Sequence, residues 1–336
     1  MRLSSVCSVR QMRHWVFASA SLLAVGAILF WPSEAAASGA VRVSVIWDDD
    51  CGSDLDCIYS LTALHRLMAS GDVKVLAFIL DSPNPYGAPV VRAWNNLWGH
   101  SVPIGAYRGS VGEAGADSRW SRAVRDAFRP GDVSAHYEDC VQVYRRALAG
   151  AEDHSVRLIE TGFPTCLVAL MRSPPDAFSQ LPGRRLLKSK VQALFVMGGD
   201  YPGPASEFNF KTAAGDSSFL FRNWTKRAGY PPIYLNGFTP GSRLALGSTA
   251  DSPVSAAINI AQKAAGETAR PVWDLISVHQ GVAGTSTYAV SPDGTNSVGS
   301  NGRNFWTNTR PSGHHYVTTK PGVAYGKALA AIIDGP

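Results

Sequence analysis

Five carboxylates fall within nine residues, at Asp48, Asp49, Asp50, Asp54 and Asp56. They follow the apolar run Val43-Ser44-Val45-Ile46-Trp47 and are interrupted only by Cys51-Gly52-Ser53 and Leu55. So many acids in one confined loop cannot all stay ionised without a counter-cation or raised pKa values. A divalent cation is the simplest resolution, and an all-oxygen ligand set favours calcium or magnesium. A solvated acidic loop is the plain alternative. Against it stands the position at a strand end, where α/β sheets build their sites.

Other acids and amides are placed to join this loop. They are Asp81-Ser82-Pro83-Asn84, Glu160-Thr161, Asp200 to Asn209, and Asp274 from a later helix, with no Lys or Arg among them. A phosphate site would need basic donors or a glycine-rich helix start. A neutral, hydroxyl-rich ligand such as a sugar, held around a cation, suits carboxylates and amides better.

The elements that must position these groups follow from periodicity. Val43 to Trp47 and Val73 to Leu80 read as buried strands joined by a helix from Ile58 to Ser70, with Ile58, Leu61, Leu64 and Leu67 on one side. The pattern repeats: helix Pro89 to Trp98, short strand Val102 to Ala106, helix Tyr137 to Leu148, strand Val156 to Ile159, helix Pro164 to Arg172 and strand Val191 to Met197. Beyond it come a helix near Asp216 to Ala228, a strand at Pro232 to Leu235, and helices Ser255 to Ala265, Pro271 to Val278 and Val323 to Ile333. Gly109 to Asp132 reads as an irregular loop or flap, and Gly284 to Ser312 as hairpins. The alternation predicts a single-domain α/β fold: an open, mostly parallel, doubly wound sheet with a hairpin-rich C-terminal part.

Residues 1–37 have the pattern of a secretory signal: Arg2, Arg10 and Arg13, an apolar stretch from Val16 to Phe30, then Ala35-Ala36-Ala37. Cleavage near Ala37 makes the chain secreted or periplasmic, with no stable membrane span, and leaves residues 38–336 as one domain large enough for a sizeable core. It also lowers the net charge from +5 to +3, by removing three of 31 basic and one of 26 acidic residues. A mild excess without basic runs does not point to nucleic acid. Cys51, Cys57, Cys140 and Cys166 allow three complete pairings, and which of them forms is left open, with Cys51 to Cys57 one possibility.

Several short stretches resemble the inosine–uridine-preferring nucleoside hydrolase family. Asp48-Asp49-Asp50-Cys51-Gly52-Ser53-Asp54-Leu55-Asp56-Cys57 follows the longer D-x-D-x-G-x-D-x-D-D form of one branch, except at Cys57. Glu160-Thr161-Gly162, Met197-Gly198-Gly199-Asp200, Glu207-Phe208-Asn209 and Arg270-Pro271-Val272-Trp273-Asp274 are similar to later segments of that family, in the same order. The resemblance implies a nucleoside hydrolase-like fold, a Ca2+ ion and a small-molecule ribonucleoside substrate, and it allows a homo-oligomer. It makes Asp50 a metal ligand and the general base. It puts Asp54, Asp56, the Thr161 carbonyl and Asp274 at the metal, and Asp48, Asn84, Asp200, Glu207 and Asn209 at the ribose. Two positions depart from the pattern. Cys57 stands where an acid belongs, and thiol suits a hard cation poorly. Trp273 stands where some relatives carry a histidine, and indole can stack on a base or pack in the core, but its N–H is no proton donor of that kind.

The chemistry implied is hydrolysis of an N-glycosidic bond, in which an oxocarbenium-like sugar needs a positioned water and a negative field. A sugar- or nucleoside-binding homologue with an impaired metal site is the rival from another class. A phosphatase built on Asp48 and Asp50 lacks an evident downstream lysine, and an EF-hand register would put Trp47 at the first ligand position. His136, His279, His314 and His315 read as surface or structural, and Trp94 with Trp98 as a core stripe.

Overall fold

Val43 to Trp47 is apolar on both sides because helices cover both faces of the strand it forms. The computed structural model describes residues 42–111, 118–129, 136–247, 252–284, 286, 288–318 and 323–334. The leader expected at residues 1–37 lies outside them. In β1 (Val43–Asp49), Val45 and Trp47 enter one core and Ile46 the other.

The chain continues through α1 (Cys57–Ser70), β2 (Val73–Leu80), α2 (Gly87–Trp98), β3 (Ile104–Ala106), α3 (Arg119–Phe128), β4 (Glu138–Asp139) and α4 (Cys140–Ala149). Next come β5 (Val156–Glu160), α5 (Thr165–Arg172), α6 (Gly183–Lys190), β6 (Val191–Met197), α7 (Phe208–Thr212), α8 (Ala214–Asn223), β7 (Ile233–Asn236) and α9 (Phe238–Ser242). The last part holds β8 (Ala245–Leu246), α10 (Pro253–Ala265), β9 (Arg270–Pro271), α11 (Trp273–Ala283), β10 (Thr295–Val298), β11 (Asn304–Thr307), β12 (His314–Tyr316) and α12 (Val323–Asp334).

Eight strands make one sheet in the order β12-β7-β6-β5-β1-β2-β3-β4, and every neighbouring pair is parallel. Helices α1, α2, α10, α11 and α12 pack on one face, and α4, α5, α6 and α8 on the other. The chain leaves β1 toward β2, then returns to lay β5 on the other flank of β1. That reversal opens a crevice outside the carboxyl ends of β1 and β5, the usual ligand position in such sheets.

Local differences from the sequence reading have physical reasons. Residues 118–129 of the expected loop hold a helix, α3, whose Trp120, Ser121 and Val124 are buried while its three arginines mask the stripe. The helix expected from Asp216 stops at Asn223, and Lys226–Ala228 is a separate 3-10 turn. α11 starts at Trp273 rather than Pro271, because Arg270–Pro271 pairs antiparallel with Ala245–Leu246. The expected hairpin is β10–β11, and β12 then joins the main sheet beside β7. The cysteines pair as Cys51–Cys57 and Cys140–Cys166. Among the described residues, no helix is long and apolar enough to cross a membrane.

Candidate functional site

A cavity of about 450 Å3 opens at the β1/β5 crevice, and Asp50, Asp54, Asp56, Thr161, Glu207, Asn209, Trp273 and Asp274 all line it. These come from four separate stretches of sequence, so the fold assembles what the motifs only suggested. The described histidines do not contribute. His279 pairs with the Tyr288 hydroxyl, His314 bonds the Trp224 carbonyl and His315 the Ser291 carbonyl.

The acid loop is shaped by close packing. Gly52 has φ +101°, and a Cβ there would lie 2.9 Å from the Gly87 nitrogen. At Gly162 a Cβ would lie 2.3 Å from the Asp50 nitrogen and 2.4 Å from Asp81 Oδ2, so only glycine lets the Thr161 turn approach the loop. Asp56 stands at the start of α1 but does not cap it. Its Oδ2 instead accepts from the N–H groups of Trp273 (3.1 Å) and Asp274 (3.2 Å), capping α11, whose own N-cap Val272 has no oxygen to offer. Asp274 is thereby locked to the loop.

Glu207 caps α7 in the ordinary way. It accepts from the N–H groups of Asn209 (2.8 Å), Gly199 (3.0 Å) and Phe210 (3.2 Å). Asn209 Nδ2 donates to the Thr161 carbonyl at 2.9 Å. Thr161 Oγ1 accepts from Trp47 Nε1 at 2.8 Å and donates to Asp49 Oδ2 at 2.6 Å.

The motif resemblance gives Asp49, alone of the five clustered acids, no role at the metal or the ribose. Strand alternation is the signal that finds it, since Asp49 shares the Trp47 face and Asp48 the Ile46 face. Asp48 accordingly turns away from the cavity, fully buried, and accepts from the Tyr144 hydroxyl at 2.8 Å. Asn84 is also elsewhere. It donates to the Gly52 carbonyl at 2.9 Å and accepts from Tyr86 N at 2.9 Å, which makes it a clamp on the acid loop. Asp200 accepts from Thr239 Oγ1 (2.6 Å) and Thr239 N (3.1 Å) and lines a smaller hollow of about 170 Å3 with Tyr201 and Tyr316.

Asp54 lines the cavity but is held by Arg270, at 2.7 Å to Nη2 and 3.1 Å to Nε. The sequence reading counted no cation among these groups, so Arg270 is an addition. Burial pushes the Asp54 carboxyl up, yet the bidentate bond and charge of Arg270 outweigh it and hold the pKa below the usual range. The other acids shift the opposite way. Burial, then neighbouring carboxylates, push Asp50, Asp56 and Asp274 well up. Asp49 is pushed up to about 7 by burial, with the Thr161 hydrogen bond opposing.

Beneath this layer lie Asp48, Asp81 and Glu160. Both oxygens of Asp81 and of Glu160 are buried without a hydrogen-bond partner, and burial pushes all three carboxyls well up.

The cavity layer also has unsatisfied oxygens, Asp49 Oδ1 and Asp50 Oδ2. Carboxylates plus the Thr161 carbonyl form a hard donor set that fits calcium or magnesium. Asp49, Cys51 and Cys57 place ligand-type atoms within 4.8 Å of one another. The two sulfurs are bonded to each other, so a soft-metal site is not formed there. The far wall is aromatic. Phe238 and Trp273 stack at 5.3 Å, Trp273 Nε1 donates to the Phe238 carbonyl at 3.0 Å, and Phe208 and Phe238 are each 46 % exposed at the mouth.

No family model and no curated protein sequence matches the chain. Solved structures do. The inosine-uridine preferring nucleoside hydrolase from Bacillus anthracis aligns with TM-score 0.63 at 12 % identity, over 88 % of this chain and 99 % of that one. An inosine-guanosine nucleoside hydrolase aligns with TM-score 0.65 at 15 % identity, over 86 % and 98 %. The type III effector protein XopQ, complexed with adenosine diphosphate ribose, aligns with TM-score 0.65 at 14 % identity, over 91 % and 99 %. At such identities the likeness is one of fold: the chain has the nucleoside hydrolase-like α/β fold.

Proposed function

We propose that the chain hydrolyses the N-glycosidic bond of ribonucleosides in this cavity, releasing base and ribose. The observation that carries the reading is a layer of buried, mutually repelling carboxylates with unsatisfied oxygens, opening on a ligand-sized cavity in this fold. Asp49, Asp50, Asp56, Asp274 and the Thr161 carbonyl would hold a divalent cation, with calcium expected from its hard-oxygen preference. When bound, such an ion orients a water and lowers its pKa.

Asp50 would take the water proton, its carboxyl already pushed toward the basicity that a general base needs. The water oxygen would bond the anomeric carbon as the carbon–nitrogen bond breaks, with that electron pair leaving on the base. Glu207 and Asn209 would hold ribose hydroxyls, and the carboxylates would stabilise the positive sugar centre. Phe208, Phe238 and Trp273 form an apolar wall suited to a planar base. Residues 1–37 and the two disulfides suit export to an oxidising compartment.

A second reading, binding without turnover, is favoured by Asp54 being taken up by Arg270 and by the lack, among the described residues, of a titrating acid on the aromatic wall. Incubating the protein with inosine, uridine and other nucleosides, with calcium or with chelator, separates the two. Base release that chelator stops supports hydrolysis. Calorimetric binding of calcium and ribose without any base release supports the second reading.

A further inference from the structure

We infer that the Cys51–Cys57 disulfide is a positioning device for the cation site, holding Asp49 and Asp56 in place so that the site is competent only in its oxidised form. The inference rests on the calcium reading above and concerns this chain's own loop.

The bond sits where a loop of repelling acids most needs a restraint. Cys51 directly follows Asp50, and Cys57 directly follows Asp56. Both cysteines are buried, with a sulfur of each within 4.8 Å of an Asp49 carboxylate oxygen. The bond therefore closes a ring of chain whose six-residue separation contains Gly52, Asp54 and Asp56.

The start of α1 supplies a second reason. Asp56 turns its carboxylate to α11, so the first turn of α1 has no side-chain cap of its own and would fray. Cys57 is the first residue of α1, and its bond to Cys51 fastens that turn covalently. Fastening the turn also keeps Asp56 within reach of the Trp273 and Asp274 N–H groups. Other ties act at the crown of the loop: Asn84 and Ser121 on the Gly52 carbonyl, Ser82 on Ser53, and Arg270 on Asp54. Without the disulfide, repulsion among Asp50, Asp54 and Asp56 would act on a loop whose α1 end is held by hydrogen bonds, those of Asp56 among them, with no covalent tie. The site would then have to be ordered at the moment of cation binding, which lowers affinity.

The Cys140–Cys166 bond provides an internal control. It joins residues 26 apart and ties α4 to α5, outside the Cys51–Cys57 ring. In the loop-entropy picture the longer span stabilises the fold more; its ring includes Thr161, five residues before Cys166, but neither cysteine adjoins a carboxylate assigned to the cation.

The test is calcium titration by calorimetry of the chelator-treated full chain and of two variants, Cys51→Ser/Cys57→Ser and Cys140→Ser/Cys166→Ser, with melting temperatures in chelator. The first variant should bind calcium about tenfold or more weakly, and the second should bind like the parent but melt lower. Parent-like calcium affinity in the first variant overturns the inference and leaves the calcium reading standing. Absence of calcium binding by the parent overturns the reading itself.

Should the first variant not fold, linkage supplies the measurement on the parent. Saturating calcium should make Cys51–Cys57 about tenfold harder to reduce by dithiothreitol at equilibrium, read by alkylation and peptide mass, because coupling is reciprocal. For this two-electron couple that corresponds to about 30 mV. Cys140–Cys166 should shift less. An equal shift in both bonds signals general stabilisation and overturns the inference.

Discussion

Two layers of carboxylates lie one beneath the other at the carboxyl end of β1, and they share an electrostatic problem while differing in its solution. The lower layer, Asp48, Asp81 and Glu160, is sealed, with the Tyr144 hydroxyl as its one observed side-chain donor. The upper layer, Asp49, Asp50, Asp56 and Asp274, is just as deeply buried, but most of it borders a cavity that solvent can enter. Burial raises the pKa values in both layers. The lower layer can be neutralised only by protons, whereas the upper can exchange its protons for a cation. Access rather than composition separates structural acids from candidate ligands.

The largest test of that distinction is Asp50→Asn in the upper layer. Asn keeps the shape but cannot accept a proton, and general-base catalysis contributes about 10²- to 10⁴-fold. Turnover is expected to fall by that order, with the fold intact by circular dichroism. Asp50→Asn retaining parental turnover would break the assignment of the upper layer.

Calcium should reverse a pH trend, which is the next effect in size. In metal-free buffer the native state keeps protons that the unfolded chain releases above about pH 4. Stability should therefore fall as pH rises from about 4 through Asp49's value of about 7. Asp54 works the other way, because Arg270 holds its carboxyl low, but it is one group against several. Calcium favours the ionised carboxylates and competes with their protons, so its stabilisation should grow toward neutral pH. At 100 times Kd it contributes about 2.7 kcal/mol. Melting curves between pH 4.5 and 7.5 with and without calcium check this, and parallel curves would remove the cation from the account.

How legible each layer was in the sequence follows from the kind of information each needed. The apolar run ending in acids gave β1 and the rim, and Asp50, Asp56, Thr161, Glu207, Asn209 and Asp274 do meet at one cavity. Asp49 was obscured because a motif weights every second acid, while strand alternation decides which face each acid takes. Asp48 went to the other face for the same reason. Arg270 lies 216 residues from Asp54, and nothing local to either announces the pair. The lower layer depends on strand register, since only the pairing of β1 with β5 sets Asp48 beside Glu160. α3 was hidden by its arginines, whose charge conceals a narrow buried stripe of Trp120, Ser121 and Val124.

The smallest effect asks whether the lower layer is held neutral, and Glu160→Gln isolates it. If Glu160 is protonated in the native state, glutamine replaces one neutral polar group by another of similar size. The unfolded chain then no longer gains from ionising that side chain, so the variant should be more stable near neutral pH, by roughly 1 kcal/mol for each pKa unit of native elevation. The gain should vanish toward pH 4, where the parent's glutamate is protonated in both states. Glu160 makes no hydrogen bond that the substitution would remove, while Tyr144→Phe, which does remove the donor to Asp48, should cost about 1 kcal/mol at every pH. Urea unfolding of the two variants at pH 4.5 and 7 tells these cases apart. Destabilisation of Glu160→Gln at pH 7 would mean that Glu160 carries a charge there, and that the lower layer, too, has a cation.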